Sequence, residues 1–316
     1  MIKKLIVISL AFIFALILVE LIVGNILGFP KYGVKEKLIG MRSSKGHQNI
    51  YEPYSKYWSS YGNYETYKRN NLGLPGIDVD TGQESKYVCI LGSSFVEDSY
   101  LNPASMSTSV LQDLLNKENR KYKVLNLGYN GCDPYDSYRR IGYYEYIYKP
   151  ESVVLVLNSY IAGSYKLTDH PFEVTQNDFI KDNSIKTKIN LLLKNNSSLA
   201  RLLLTFIQET RGTGVVLPED EKIDEYTLDL SDLQLCLNEF NKKYRNRFIC
   251  VSIMNNEIIN RRIKDYCDTN KIKFSYSNIM IPENQIIGDR HLNEKGNIEL
   301  GKFIFNSFCK YNNLTQ

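Results

Sequence analysis

Two short segments carry residue types able to do acyl chemistry: Gly92-Ser93-Ser94-Phe95 and Gly288-Asp289-Arg290-His291. A serine at a strand-to-helix turn presents its hydroxyl, and the helix N-terminus that follows favours a nearby oxyanion. The same turn serves equally well as a plain helix cap, with Ser93 or Ser94 accepting from the first-turn amides. Of the three histidines, only His291 follows a carboxylate just before a helix and at the expected end of the sheet; His170, followed by Pro171 inside the insertion, and His47, in the linker, lack that context. Asp289, two residues upstream, can fix an imidazole's tautomer and stabilise its imidazolium while the other ring nitrogen takes a serine proton. A surface Asp-x-His with no chemical role is the plain alternative. The serine segment is not the Gly-x-Ser-x-Gly elbow of α/β-hydrolases.

The elements around these segments decide whether they can meet. Tyr87–Leu91 is an apolar run closed by Gly92, the pattern of a strand buried on both faces. A helix over about Met106–Asn119 follows, then a strand at Val124–Leu127, a helix over Tyr135–Tyr148 and a strand at Ser152–Leu157. Residues 160–224 interrupt the rhythm as an insertion, with a helix near Leu199–Gln208. Leu228–Tyr244 (helix), Phe248–Met254 (strand), Glu257–Thr269 (helix), Ile272–Ser277 (strand) and Glu294–Tyr311 (helix) complete it. Strands alternating with helices predict an α/β fold, a flavodoxin-like doubly wound parallel sheet of about five strands. Ligand sites of such sheets lie beyond the carboxyl ends of the strands, where the serine and histidine segments fall.

Before this domain come two other stretches. Leu5–Leu27 is apolar apart from Ser9, Glu20, Gly24 and Asn25, long enough for a transmembrane helix. Lys3 and Lys4 favour a cytoplasmic N-terminus and an extracytoplasmic remainder, although Lys31, Lys35 and Lys37 add charge on the far side. A signal anchor over 1–30 is the expectation; a cleaved signal peptide and a buried helix are the rivals. Glu20 marks either a helix partner, a functional site or a side chain reaching for the interface. Residues 31–82 read as a polar, irregular linker and lead-in, leaving 83–316 as the α/β domain. Tyr51, Tyr54, Tyr57, Trp58, Tyr61, Tyr64 and Tyr67 form either a sugar-stacking platform or a reflection of a chain with 24 tyrosines.

Composition narrows the function. The net charge is only +4, concentrated towards the N-terminus, so nucleic acid is not an expected partner. The six cysteines include no CxxC pair, so no metal site is expected; Cys89 and Cys250 fall in apolar strands, as buried thiols do. The sequons at Asn195, Asn196 and Asn313 read as chance in an Asn-rich chain.

Taken together, the segments resemble the SGNH (GDSL-type) hydrolase superfamily, particularly its membrane-anchored bacterial branch associated with cell-surface polysaccharides. Gly92-Ser93-Ser94 is similar to the first block, Asn126-Leu127-Gly128-Tyr129-Asn130-Gly131 to the second, and Asp289 through Gly296 to the last. Asn71-x-Gly73 resembles the lead-in of the anchored members, and the resemblance spans about 71–310. It implies a cofactor-free serine esterase or O-acyltransferase acting on acyl, chiefly acetyl, esters of surface glycans. Ser94 would be the nucleophile, His291 the general base and Asp289 its orienter. The oxyanion hole would be the Ser94 and Gly131 amides with Asn158. Two departures stand out. Ser93 replaces the family's Asp, and after Leu157 the chain reads Asn158-Ser159-Tyr160-Ile161, putting Tyr160 or Ile161 where the third-block Asn belongs. Asn158 serves only if that loop is shorter by two or three residues. An inert scaffold or glycan-binding protein of the same fold is the alternative.

Overall fold

The computed structural model describes residues 2–31, 33–39, 48–58, 65–82, 85–118, 121–158, 180–181, 184–210, 228–287 and 290–313. His47, Tyr61, Tyr64, Tyr160, Ile161, His170 and Asp289 lie outside the described residues, as does most of the expected insertion. In chain order come α1 (Ile2–Leu21), which continues as a π-helical turn to Ile26, β1 (Val34–Ile39), β2 (Asn49–Tyr51), β3 (Lys56–Trp58) and β4 (Thr66–Lys68). The domain proper begins with β5 (Lys86–Leu91), α2 (Ser94–Glu97), α3 (Ser107–Lys117), β6 (Tyr122–Asn126), α4 (Pro134–Tyr148) and β7 (Ser152–Leu157). Then follow β8 (Ile180–Lys181), α5 (Ile185–Asn196), α6 (Ser198–Thr210), α7 (Ser231–Tyr244), β9 (Phe248–Ser252), α8 (Glu257–Thr269), β10 (Lys273–Tyr276) and α9 (Glu294–Tyr311).

The central sheet has five parallel strands in the order β10-β9-β7-β5-β6. This is the doubly wound, flavodoxin-like order expected from the alternation. Its three inner strands, β5, β7 and β9, are buried along nearly their whole length because both faces are covered. On one face Cys89, Leu91, Val153, Leu155, Phe248 and Cys250 pack against Tyr138 and Ile141 of α4, Leu237 and Phe240 of α7, and Ile263 of α8. On the other, Val88, Ile90, Val154, Val156, Ile249 and Val251 meet Leu111 and Leu115 of α3 and Leu300, Ile304 and Phe308 of α9. The order reverses between β5 and β7, so the crevice at this switch point opens where Gly92 and Asn158 leave their strands.

The segment before β5 is more ordered than its sequence suggests. β1 pairs antiparallel with β2 and with β8, and β3 with β4. Tyr51 and Tyr57 are not presented as a platform: both are buried around the Arg69 guanidinium, 3.4 and 5.2 Å from its carbon to their ring centroids. All six cysteines are buried, and none forms a disulfide. Asn195 is engaged by the backbone, accepting from the Val34 N–H and donating to the Val34 carbonyl. Helix α1 with its extension gives an apolar stretch over Lys3–Ile26, 24 residues, long enough by length and composition to cross a membrane.

Candidate active site

β5 is buried to its last residue, and Gly92 turns the chain into α2. Ser93 is the extended N-cap, its hydroxyl accepting from the Phe95 amide at 3.5 Å and donating to the Asn158 carboxamide oxygen at 2.8 Å. The cap role therefore falls to Ser93, which leaves the Ser94 hydroxyl available at the first position of the helix. Ser94 Oγ lies 2.8 Å from His291 Nε2, across 197 positions of sequence.

His291 arrives on a small pinned loop between β10 and α9. Gln285 and Leu292 form an antiparallel bridge, and the Ile286 N–H donates to the His291 carbonyl at 2.9 Å. Asn293 caps α9 by accepting from the Gly296 N–H, while its amide donates to the Glu283 and Gln285 carbonyls, each at 3.0 Å. The imidazole stacks on Phe95 with centroids 5.0 Å apart and tilts against Tyr100 at 5.1 Å. Two aromatic walls thus fix the ring plane while Nε2 faces the serine, leaving Nδ1 for an orienting acceptor.

Three N–H groups belong to the turns that follow β5, β6 and β7. The Ser94 and Gly131 amides and the Asn158 carboxamide N–H group make no hydrogen bond among the described residues. Gly131 has a φ of 77°, a left-handed conformation that glycine adopts without strain. Its turn is tied to the one that follows β5: the Tyr129 N–H donates to the Gly92 carbonyl at 3.1 Å, and the Cys132 N–H to the Tyr129 carbonyl at 3.0 Å. Asn158 directly follows β7, and its carboxamide oxygen accepts from the Ser93 hydroxyl. β7 runs two residues past the end of β5: Leu91 pairs with Leu155, and Val156 and Leu157 complete the strand before Asn158.

Several residues that position this site carry no sequence signal on their own. Buried Asn126 donates to the Val96 carbonyl at 2.7 Å and to Thr108 Oγ1, and accepts from the Gly128 N–H at 3.0 Å. It therefore joins α2 to the 128–131 turn. Gly128 permits that contact: a Cβ there would fall 2.3 Å from the Glu97 nitrogen. Glu97 accepts from the Asn130 N–H at 2.7 Å and pairs with Arg69 at 3.8 Å, bringing the lead-in segment against the site. Arg140, buried, donates to the Leu127 carbonyl and to Gln48, and Tyr129 Oη accepts from Asn49. Asp98, fully buried and left-handed at φ 50°, accepts from the Tyr100 and Ser107 hydroxyls, each at 3.1 Å. Burial pushes its carboxyl up to about 8. The Phe95 position next to Ser94 was a readable hint; Arg69, Asp98 and Tyr100 were not.

Among the described residues no cluster of three or more His, Cys, Asp or Glu side chains is arranged to hold a metal ion. The arrangement contains a hydroxyl and an imidazole in contact with it at a helix N-terminus, a pairing able to serve acyl transfer.

No protein-family model and no curated protein matches the chain. Similar solved structures include the psychrotrophic esterase EstA from Pseudoalteromonas sp., inhibited by monoethylphosphonate, at 13% identity and TM-score 0.44, covering 72% of this chain and 100% of that one. A member of the lipolytic protein G-D-S-L family from Veillonella parvula is 11% identical with TM-score 0.38, covering 69% and 95%. A catalytic mutant of Axe2, an acetylxylan esterase from Geobacillus stearothermophilus, is 11% identical with TM-score 0.37, covering 72% and 93%.

Proposed function

We propose that the protein is a membrane-anchored SGNH-type serine enzyme that cleaves small acyl esters of cell-surface glycans, with its α/β domain on the extracytoplasmic side. The observation that carries this reading is the 2.8 Å contact between Ser94 Oγ and His291 Nε2 at the sheet's switch point. Ser94 Oγ attacks the ester carbonyl carbon as His291 Nε2 takes the hydroxyl proton. The carbonyl oxygen becomes an oxyanion held by the Ser94 and Gly131 amides and the Asn158 amide. His291 then returns the proton to the departing alkoxide, leaving Ser94 acylated. Asp289 steadies the imidazolium from Nδ1. A second pass, with His291 deprotonating the acceptor, frees Ser94; the acceptor is water in an esterase and a sugar hydroxyl in an O-acyltransferase. No cofactor enters either half. The anchor is α1, and Lys3 and Lys4 favour keeping the N-terminus in the cytoplasm.

The test is release of p-nitrophenol from p-nitrophenyl acetate, and of acetate from an acetylated polysaccharide, by the full chain and by Ser94→Ala. Turnover that disappears in the variant supports hydrolysis. Acyl-Ser94 formed but discharged only when a glycan acceptor is added supports transfer. Equal background rates from both proteins, with no acyl-enzyme, overturn the enzymatic reading in favour of an inert glycan-binding scaffold.

A further inference from the structure

The helical pair α5–α6 has an apolar surface that the catalytic reading does not use. On α5 the exposed Ile185, Ile189, Leu192 and Leu193 recur at intervals of four, three and one, a single helical face, with Ile185 77% and Leu192 63% exposed. On α6, Leu203 and Phe206 follow at a spacing of three, 52% and 61% exposed. The sequence between 184 and 210 holds Lys186, Lys188, Lys194 and Arg201 against a single acid, Glu209. A basic helix pair presenting an apolar stripe has the make-up of an interfacial membrane segment.

The structure also fixes where this pair sits relative to α1. Glu20 of α1 accepts from Ser197 Oγ and the Ser198 N–H, each at 2.7 Å, and from the Leu199 N–H at 3.0 Å. A carboxylate from the apolar helix therefore caps the N-terminus of α6 and satisfies its first amides. Gly24, one turn further, allows the approach: a Cβ there would stand 3.1 Å from Ser198 Oγ. Beyond it, Arg201 donates to the Pro30 carbonyl at 2.8 Å and lies 5.3 Å from the Phe29 ring. Asn195 closes the other side by pairing with both backbone groups of Val34. Glu20 comes six residues before the end of the apolar stretch at Ile26, roughly 9 Å of helix rise. The elbow between α5 and α6 is thus held about 9 Å inside the end of the apolar stretch, within the depth that the apolar face of an interfacial helix reaches.

We propose that the α5–α6 hairpin is a second membrane contact, lying in the interface of the bilayer leaflet from which α1 emerges. Its apolar stripe faces the acyl chains and its basic side chains sit among anionic headgroups. The inference rests on the reading of α1 as a membrane span. Glu20 is then the joint between the spanning and interfacial helices, which explains a carboxylate inside an otherwise apolar run.

The experiment uses the full chain in vesicles of phosphatidylcholine and phosphatidylglycerol, with single nitroxide labels at Leu192→Cys, Leu203→Cys, Ile13→Cys and Lys302→Cys. The six native cysteines are buried, so the introduced thiols are the reactive ones. Collision of each label with oxygen and with a water-soluble nickel chelate gives its depth. The expected result is a positive depth parameter at 13, 192 and 203 and a negative one at 302. Water-like values at 192 and 203 with a buried label at 13 overturn the hairpin proposal and leave the anchor standing. A water-like label at 13 overturns the anchor and, with it, the hairpin proposal. Dipolar broadening at 192 and 203 that vanishes on dilution with unlabelled protein means a second copy covers the stripe and likewise overturns it.

Discussion

The crevice around Ser94 and the α5–α6 hairpin treat their side chains in opposite ways. At the crevice, the polar groups of Ser93, Asn126, Glu97 and Asp98 all have partners while Phe95, Val96 and Tyr100 are buried. On the hairpin, small polar residues such as Thr187 and Ser198 are buried, whereas Ile185, Ile189, Leu192 and Leu203 are exposed. The first arrangement suits a site that meets water and polar substrate. The second suits a surface that does not meet bulk water. The difference teaches that the two regions are built for different surroundings, and that Glu20 and Arg201 tie the hairpin to the N-terminal segment, not to the crevice.

The largest expected effects lie at the crevice. Ser94→Ala and His291→Ala should each lower ester turnover by roughly 10⁴-fold or more, because a nucleophile and its base act as one unit. Steady-state kinetics with p-nitrophenyl acetate measure this; a loss under about tenfold would separate the 2.8 Å contact from catalysis. Asn158→Ala should cost about 10²–10³ in kcat, as expected for one oxyanion donor. Ser93→Ala should cost less than Asn158→Ala, since it removes only the hydroxyl that holds the Asn158 oxygen, and it should spare KM.

Asp98 gives a pH signature. Its carboxyl is raised from 3.8 to about 8 by burial, so the folded state binds this proton more tightly than the unfolded chain does. Stability from this group is therefore full below about 4 and falls as pH rises towards about 8, by up to about 1.4 kcal/mol per pH unit, levelling off above that. Asp98→Asn should flatten this slope in denaturant unfolding measured across that range; an unchanged slope would show that Asp98 is not its source. The smallest effect belongs to the hairpin joint. Glu20→Ala removes the α6 cap and should destabilise the hairpin by about 1 kcal/mol, read as faster proteolysis within 184–210, with ester turnover unchanged.

How much of this was legible depended on which forces hold each part. The sheet strands announce themselves because burial on both faces demands unbroken apolar runs, and Ser152–Leu157, Glu257–Thr269 and Glu294–Tyr311 form over the residues their patterns indicate. Ser94 and His291 were readable as segments at strand ends, whereas their contact is a property of the sheet order. Asn158 lies directly after β7 with Ser93 donating to its oxygen, a place set by where β7 ends, which loop counting does not reveal. The strands β1 to β4 escaped notice since they are short and held by tertiary partners such as Arg69 and Asn195 rather than by a periodic face. Helix α5 hid inside the insertion because its apolar face points outward, against the usual pattern.

The most direct test of the central claim is covalent. The full chain is treated with a fluorophosphonate and the modified peptide is found by mass spectrometry, alongside His291→Ala. A phosphonyl adduct on Ser94, formed rapidly in the native chain and slowed at least about 10³-fold without His291, is the predicted result. No adduct on Ser94, or one that forms equally fast in His291→Ala, would contradict it.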